Sequence, residues 1–449
     1  MRKAASLRII PAALALMLLS GCFFKTGEEL YSLPKPPAEY LELQDAIDKT
    51  LSAGAEYSAP VSGSNRQSVQ LRDIDGDGKD EAVAFFKTGD EKPLKIIVFQ
   101  MLNDKYETAA IIEGDGTSID SVNYYDLDGD GIQEIVAGWR MSSGVAKALT
   151  VHSVKDWSVR ELARSNYSVS AFTDLDSDTL PEILVIRFES EEKAGVAELL
   201  DFGADDTVTS TTASMSEGIS SVSRIKSGYL EDMIPAVFVA SKLSEGSSVV
   251  TDIFALSDSN LKNITLDMWT GVSNETLRSY VTYATDIDLD GVMELPNPVQ
   301  FPVYSAYGSS EKFWKIYWRS YYLDGTPNVK MVTYHNYADG WFIRLPQKWA
   351  DNITVTRDDS VSGQRTVTFL IWRGEDVEPA PFLRIHTLTG DNRHVRASLG
   401  GRATLVKTAD TVYAYEFLQA YDDWEYAVDR TQIVSRFSLI SKEWNTGET

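Results

Sequence analysis

Cysteine is almost missing from this chain: its 449 residues include one, Cys22. A single thiol excludes an internal disulfide, a cysteine-based zinc cluster and a dithiol redox pair. Histidine is scarce as well. His152, His335, His386 and His394 are the only four, and none falls in an HExxH or similar metal-binding spacing. No GxSxG, P-loop or GxGxxG occurs, so the sequence offers no evident catalytic motif. Past the N-terminus no apolar run approaches the ~20 residues of a membrane helix. Positive charge is also in deficit, with 42 basic against 66 acidic residues and a net charge of −24. That balance disfavours nucleic acid and anionic surfaces, which repel an acidic protein. It leaves metal cations, basic partners and neutral sugars, and it also serves simply to keep an exported protein soluble. A hydrophobic content of 43% with 24% charged residues is that of a folded soluble protein. The length predicts two folded domains.

The first residues have a distinct grammar. MRKAASLR is basic, IIPAALALMLL is apolar but short, and Leu19-Ser20-Gly21-Cys22 follows at once. This stretch resembles the lipobox of bacterial lipoproteins. The resemblance implies cleavage after Gly21, diacylglycerol and an N-acyl lipid on Cys22, and anchoring to a bacterial membrane with the chain on the extracytoplasmic face. Residues 1–21 are then a signal peptide, and 22–37 are the lipidated cysteine and a tether ending in a Pro-rich stretch. A helix and lead-in are expected over 38–58.

Four copies of one motif carry the architecture: DIDGDGKDE at 73, DLDGDGIQE at 126, DLDSDTLPE at 174 and DIDLDGVME at 286. The spacings of 53, 48 and 112 residues leave room for one more copy. GYLEDMIPAVFVA supplies it in degenerate form, with Gly228 in place of the first aspartate. Short runs rich in Val, Ile and aromatics flank each copy, such as EAVAFFK and KIIVFQML, and they read as four strands per repeat. Four strands in about fifty residues is the pattern of a β-propeller blade. The repeats resemble FG-GAP/VCBS repeats, as in integrin α-like propellers. The resemblance implies a mainly β fold: a propeller of about five (five to seven) four-stranded blades over 59–337, followed by a small α+β domain at 338–449.

Alternate aspartates in a tight loop suit a hard cation, which takes six to eight oxygens at about 2.3–2.6 Å. Glycine at positions four and six of the loop permits the turn. The expected ligands are Asp73, Asp75, Asp77, the carbonyl of Lys79 and Glu81 in the first loop. They are Asp126, Asp128, Asp130, the carbonyl of Ile132 and Glu134 in the second. The loop at 286 offers Asp286, Asp288, Asp290, the carbonyl of Val292 and Glu294. The loop at 174 offers Asp174, Asp176, Asp178 and Glu182, but has Ser177 and Thr179 where glycines would ease the turn. Two to four structural Ca2+ sites are expected. These are not EF-hands, because position twelve is Ala84 in the first loop and Ala137 in the second.

Residues 301–322 concentrate aromatics. With strand alternation, Trp314, Ile316, Trp318 and Tyr322 share one face, read as core between blades. Phe313, Lys315, Tyr317, Arg319 and Tyr321 share the other, read either as a ligand face or as basic side chains covering aromatics. Towards the C-terminus, Ile433, Phe437 and Ile440 stand at helical spacing, which predicts a closing amphipathic helix. The leading expectation is a lipid-anchored binding or scaffold protein with a protein or carbohydrate ligand and no nucleic acid. The alternatives are a carbohydrate-active or polysaccharide-binding accessory protein, and a cell-envelope assembly component.

Overall fold

The computed structural model describes residues 38–141, 147–188, 195–244, 248–279, 282–304 and 311–440. Cys22 and the tether lie outside the described residues, as do the last nine residues. The fold is mainly β and consists of six antiparallel sheets met in chain order. No helix among the described residues is long and apolar enough to cross a membrane.

The apolar runs beside each aspartate loop become the strands. Helix α1 (Ala38–Ser52) comes first. The first sheet contains β1 (Glu56–Tyr57), β2 (Val69–Arg72), β3 (Glu81–Lys87), β4 (Leu94–Leu102) and β5 (Lys105–Gly114). The second is a four-strand meander of β6 (Ser118–Tyr125), β7 (Glu134–Arg140), β8 (Lys147–Ser153) and β9 (Arg160–Tyr167). The third repeats that order with β10 (Val169–Thr173), β11 (Glu182–Arg187), β12 (Val196–Gly203) and β13 (Thr207–Ser214). The fourth does so with β14 (Ile219–Tyr229), β15 (Pro235–Leu243), β16 (Val249–Ser257) and β17 (Asn260–Asn263).

The fifth sheet is built on β18 (Leu295–Gln300), β19 (Trp314–Tyr321), β20 (Pro327–Asn336) and β21 (Trp341–Leu345). The sixth holds β22 (Ile353–Val361), β23 (Gln364–Ile371) and β24 (Ala380–Thr389), then, after the one-turn helix α2 (Arg393–Arg396), β25 (Ala403–Lys407) and β26 (Thr411–Phe417). The chain then returns through α3 (Gln432–Arg436), and β27 (Phe437–Leu439) pairs with β21.

The second strand of the repeat in each of the first four sheets is buried on both faces, as in EAVAFFK, because it is covered from both sides. Hydrophobic clusters join each sheet to the next. One unites Val83, Phe85 and Ile96 with Ile119, Ile135 and Trp139. Others unite Val136 and Val151 with Ile183 and Val185, and Leu184 and Leu199 with Val237 and Phe254. Phe238 and Ile253 meet Leu295 and Tyr321, and Trp341 and Ile343 meet Phe369 and Ile385.

The outer face of the first sheet belongs to the helix. Leu43, Ala46 and Ile47 lie on one stripe of α1 and pack on Ala82, Ala84, Phe86, Ile97 and Phe99. A ring of blades would place its last blade on that face. At the other end, Ala397, at the end of α2, packs on Leu388, Val412 and Ala414 of the sixth sheet.

Two expectations change here. The boundary between 337 and 338 falls in the turn between β20 and β21, which pair through Asn336–Trp341 and Val332–Leu345. The buried side chains of Trp341, Ile343 and Leu345 complete the fifth sheet's core, so the segment after 338 begins inside that sheet. The closing helix is also shorter than its spacing suggests. Only Gln432–Arg436 is helical, and Phe437 enters the same core as part of a strand because β21 offers an unpaired edge.

Candidate metal centres

All four aspartate loops fold the same way, and the hydrogen bonds explain why the motif is spaced as it is. The ninth-position glutamate reaches back to the loop entrance. Ile74 N–H donates to Glu81 Oε2 at 2.9 Å, Leu127 to Glu134 at 3.0 Å, Leu175 to Glu182 at 2.6 Å and Ile287 to Glu294 at 2.9 Å. The first aspartate accepts from the sixth residue: Gly78 to Asp73, Gly131 to Asp126, Thr179 to Asp174 and Gly291 to Asp286, all at 2.9–3.1 Å. The N–H groups of Lys79, Ile132, Leu180 and Val292 at position seven donate to the position-five aspartates Asp77, Asp130, Asp178 and Asp290. Positions four and six have positive φ in every copy. Gly76 and Gly78, or Gly129 and Gly131, take it without a Cβ penalty, whereas Ser177, Thr179 and Leu289 take it with one.

This folding brings the acids together. Carboxylate oxygens of Asp73, Asp75 and Glu81 lie within 4.8 Å of one another, as do those of Asp126, Asp128 and Glu134. So do those of Asp286, Asp288 and Asp290, and the loop at Asp174 gathers four: Asp174, Asp176, Asp178 and Glu182. Lysine accompanies the missing Asp77 and Asp130 of the first two loops, whereas Asp290 stays in its cluster beside Lys330 and Glu294 is the acid missing there. Lys79, Lys155 and Lys330 hold the second oxygens of Asp77, Asp130 and Asp290 at 2.9, 2.8 and 3.0 Å. Asp178 has no such lysine among the described residues. The loop that looked poorest from its missing glycines therefore has the fullest set of free carboxylates.

A further acid was not foreseen. Asp201 on β12 lies near enough to Asp176 and Glu182 to raise both. It stands nineteen residues after Glu182, as Gln100 stands after Glu81, and Gln100 donates to Asp75 at 3.3 Å. The other two loops have Ser153 and Phe313 at that offset, so the sequence pattern alone did not single Asp201 out.

The electrostatics are unfavourable without a counter-charge. Burial, with the loop aspartates adding to it, pushes Glu81 and Glu134 up to about 7 and Glu182 and Glu294 up to about 8. Burial also raises Asp128, Asp176 and Asp288. Two carboxylate oxygens, Asp73 Oδ1 and Glu294 Oε1, are buried with no hydrogen-bond donor. Acceptors of this kind, clustered in a turn, fit a hard cation.

The loops also touch one another. A Cβ on Gly76 would stand 2.4 Å from the carbonyl oxygen of Gly131, and one on Gly129 would stand 3.2 Å from Leu180 Cδ1. The degenerate copy keeps a tight turn at Leu230–Ile234 but no acidic cluster. Its Gly228 makes room for Met293, whose Cγ would be 2.3 Å from a Cβ there, and Tyr229 bridges to Val292. Its Glu231 accepts from Ser320 and Asn328 of the fifth sheet, at 2.6 and 3.0 Å.

The aromatic face does not form as expected. A bulge between Trp318 and Arg319 shifts the strand's alternation, so Tyr321 is buried in the core between the fourth and fifth sheets and Tyr322 is exposed. Arg319 pairs with Glu275, whereas Tyr317 and Lys315 both bond Asp351 near the sixth sheet. Of the five residues expected on that face, Phe313 lines a cavity. It opens onto two adjoining spaces of about 260 and 200 Å3, which also share Glu311 and Arg357.

No family model matches the sequence, and no curated protein does. Among solved structures, a Lactobacillus plantarum protein determined as a structural-genomics target aligns over 72% of this chain and 88% of its own. It is 9% identical with a TM-score of 0.24, a likeness that carries no argument about fold or function.

Proposed function

We propose that this protein is a lipid-anchored, extracytoplasmic binding or scaffold protein whose sheets are blades of the propeller type, tied together by calcium. The observation that carries the reading is the repetition of one loop geometry four times, each with converging carboxylates. A calcium ion at each loop would neutralise the cluster and give the orphaned oxygens of Asp73 and Glu294 a partner. Its role would be structural, because each of the loops at 73, 126 and 174 joins two strands of one sheet. Lys79, Ile132 and Val292 would add backbone carbonyls. The Cys22 lipid would hold the chain at the membrane, with residues 23–37 as tether.

The test has two arms. Calcium should raise the melting temperature of the fragment 38–449 above its value in EGTA, and Asp75→Ala with Asp128→Ala should remove most of the rise. Cys22→Ser should move the full chain from the membrane to the soluble fraction; retention at the membrane would remove the anchor from the proposal.

A second reading, binding of a neutral saccharide, draws on the paired cavities beside Phe313. Tyr304 and Trp314 contribute aromatic surface there, and Arg357 and Glu311 contribute polar groups. Trp314→Ala should then abolish retention on a polysaccharide column, and unchanged retention would remove this reading.

A further inference from the structure

A third cavity, of about 570 Å3, lies where β20 and β21 meet α3. Its chemistry is opposite to that of the molecule as a whole. Arg344 on β21 and Arg436 at the end of α3 both line it, with Lys330, Gln347, Gln432 and Ser435. The pairing of Ile343 with Phe437 brings the two arginines side by side. Neither forms an ion pair among the described residues. Arg344 donates to the carbonyl of Ser435 at 2.7 Å, and Arg436 makes one long bond, 3.4 Å, to the Gln432 side chain. Arg436 Nε is buried with no acceptor. Burial, and then the charge of Arg344, hold the Arg436 guanidinium below its ordinary value. In a chain of net charge −24, carboxylates to pair with them were abundant. The one carboxylate of the lining is Asp288, which belongs to the loop at 286.

We infer that this cavity is a binding site for a small organic anion, whose carboxylate or phosphate is clamped between Arg344 and Arg436. Guanidinium groups bind such oxyanions by paired N–H donors, and two of them neutralise a dianion. The side-chain amides of Gln347 and Gln432 and the hydroxyl of Ser435 are suited to the hydroxyl groups of the ligand. The space far exceeds a bare phosphate ion and suits a molecule the size of an acidic mono- or disaccharide. The site adjoins the loop at 286 through Asp288 and Lys330, and it shares no lining residue with the aromatic cavities.

The test is calorimetric titration of the full chain in detergent at low ionic strength, with digalacturonate, glucose 6-phosphate and glucose as probes. Binding of digalacturonate identifies a carboxylate ligand, binding of glucose 6-phosphate identifies a phosphate ligand, and glucose should bind to neither wild type nor variant. Arg344→Glu and Arg436→Gln should each weaken the bound anion at least tenfold. Arg344 is exposed, so Arg344→Glu keeps the test sound if Arg436→Gln misfolds. Absence of binding by both anions, equal binding of glucose, or anion binding unchanged by Arg344→Glu would overturn the inference.

Discussion

At the scale of single residues, the loop at Asp174 holds the clearest tension. Ser177 and Thr179 have φ of +68° and +79°, in a region that costs a side-chain-bearing residue on the order of 1 kcal/mol. Ser177→Gly and Thr179→Gly should each raise unfolding stability by roughly 0.5–1 kcal/mol, read from urea midpoints at constant calcium. A drop in both would mean that the side chains make stabilising contacts outweighing the strain.

Buried histidines and buried glutamates give opposing parts of the pH dependence. Burial pushes His335 down to about 3. It also leads in holding His386 near 4, where Arg402 opposes protonation and Glu416 favours it. The loop glutamates, raised to about 7–8, gain protons on folding and stabilise as pH falls. The histidines do the reverse, protonating at about pH 6.5 when unfolded and only near 3–4 when folded, so their share of the stability falls as pH drops below 6.5. Each histidine then contributes a loss of about 1.4 kcal/mol per pH unit until its folded value is reached. Relative to wild type, His335→Phe should gain melting temperature as pH falls from 6.5 to 5, and the phenyl ring is accommodated because the imidazole already stacks on Phe342 at 4.9 Å. An unaltered slope would place the titration elsewhere.

At the scale of elements, glycines record how closely neighbouring loops approach. Gly76 and Gly131 both have positive φ, but only Gly76 abuts backbone, the carbonyl of Gly131. Gly76→Ala should therefore cost at least about 1 kcal/mol more than Gly131→Ala, for which the space is open. Equal costs would show that the two loops move apart readily.

The strands beside the loops were legible because both halves of each hairpin are dense in Val, Ile and Phe and are punctuated by the DxDxDG turn. The segment after 336 was not legible as part of the fifth sheet, since no acidic motif marks it and Trp341–Leu345 reads equally well as the start of a new unit. Tyr321 was assigned to the wrong face because strand alternation takes no account of the bulge at Trp318–Arg319. The acid count of the loop at Asp174 was hidden too. In the second loop the position-five Asp130 is held by Lys155, distant in sequence, and no such lysine meets Asp178 among the described residues.

At the scale of the whole molecule, six sheets pack face to face in chain order, with α1 on the outer face of the first and Ala397 packed on the sixth. The apolar contacts within each pair of sheets supply most of the cohesion. The acidic loops of the first three sheets lie against one another, and on the proposed reading cations turn this repulsive series of contacts into a clasp. The most direct measurement is native mass spectrometry of the chelated fragment 38–449 after calcium is returned, paired with its melting curve. Two to four bound calcium ions, with a melting temperature that rises with occupancy, are expected. A chain that takes up no calcium and melts identically in EGTA would contradict the proposal at its root.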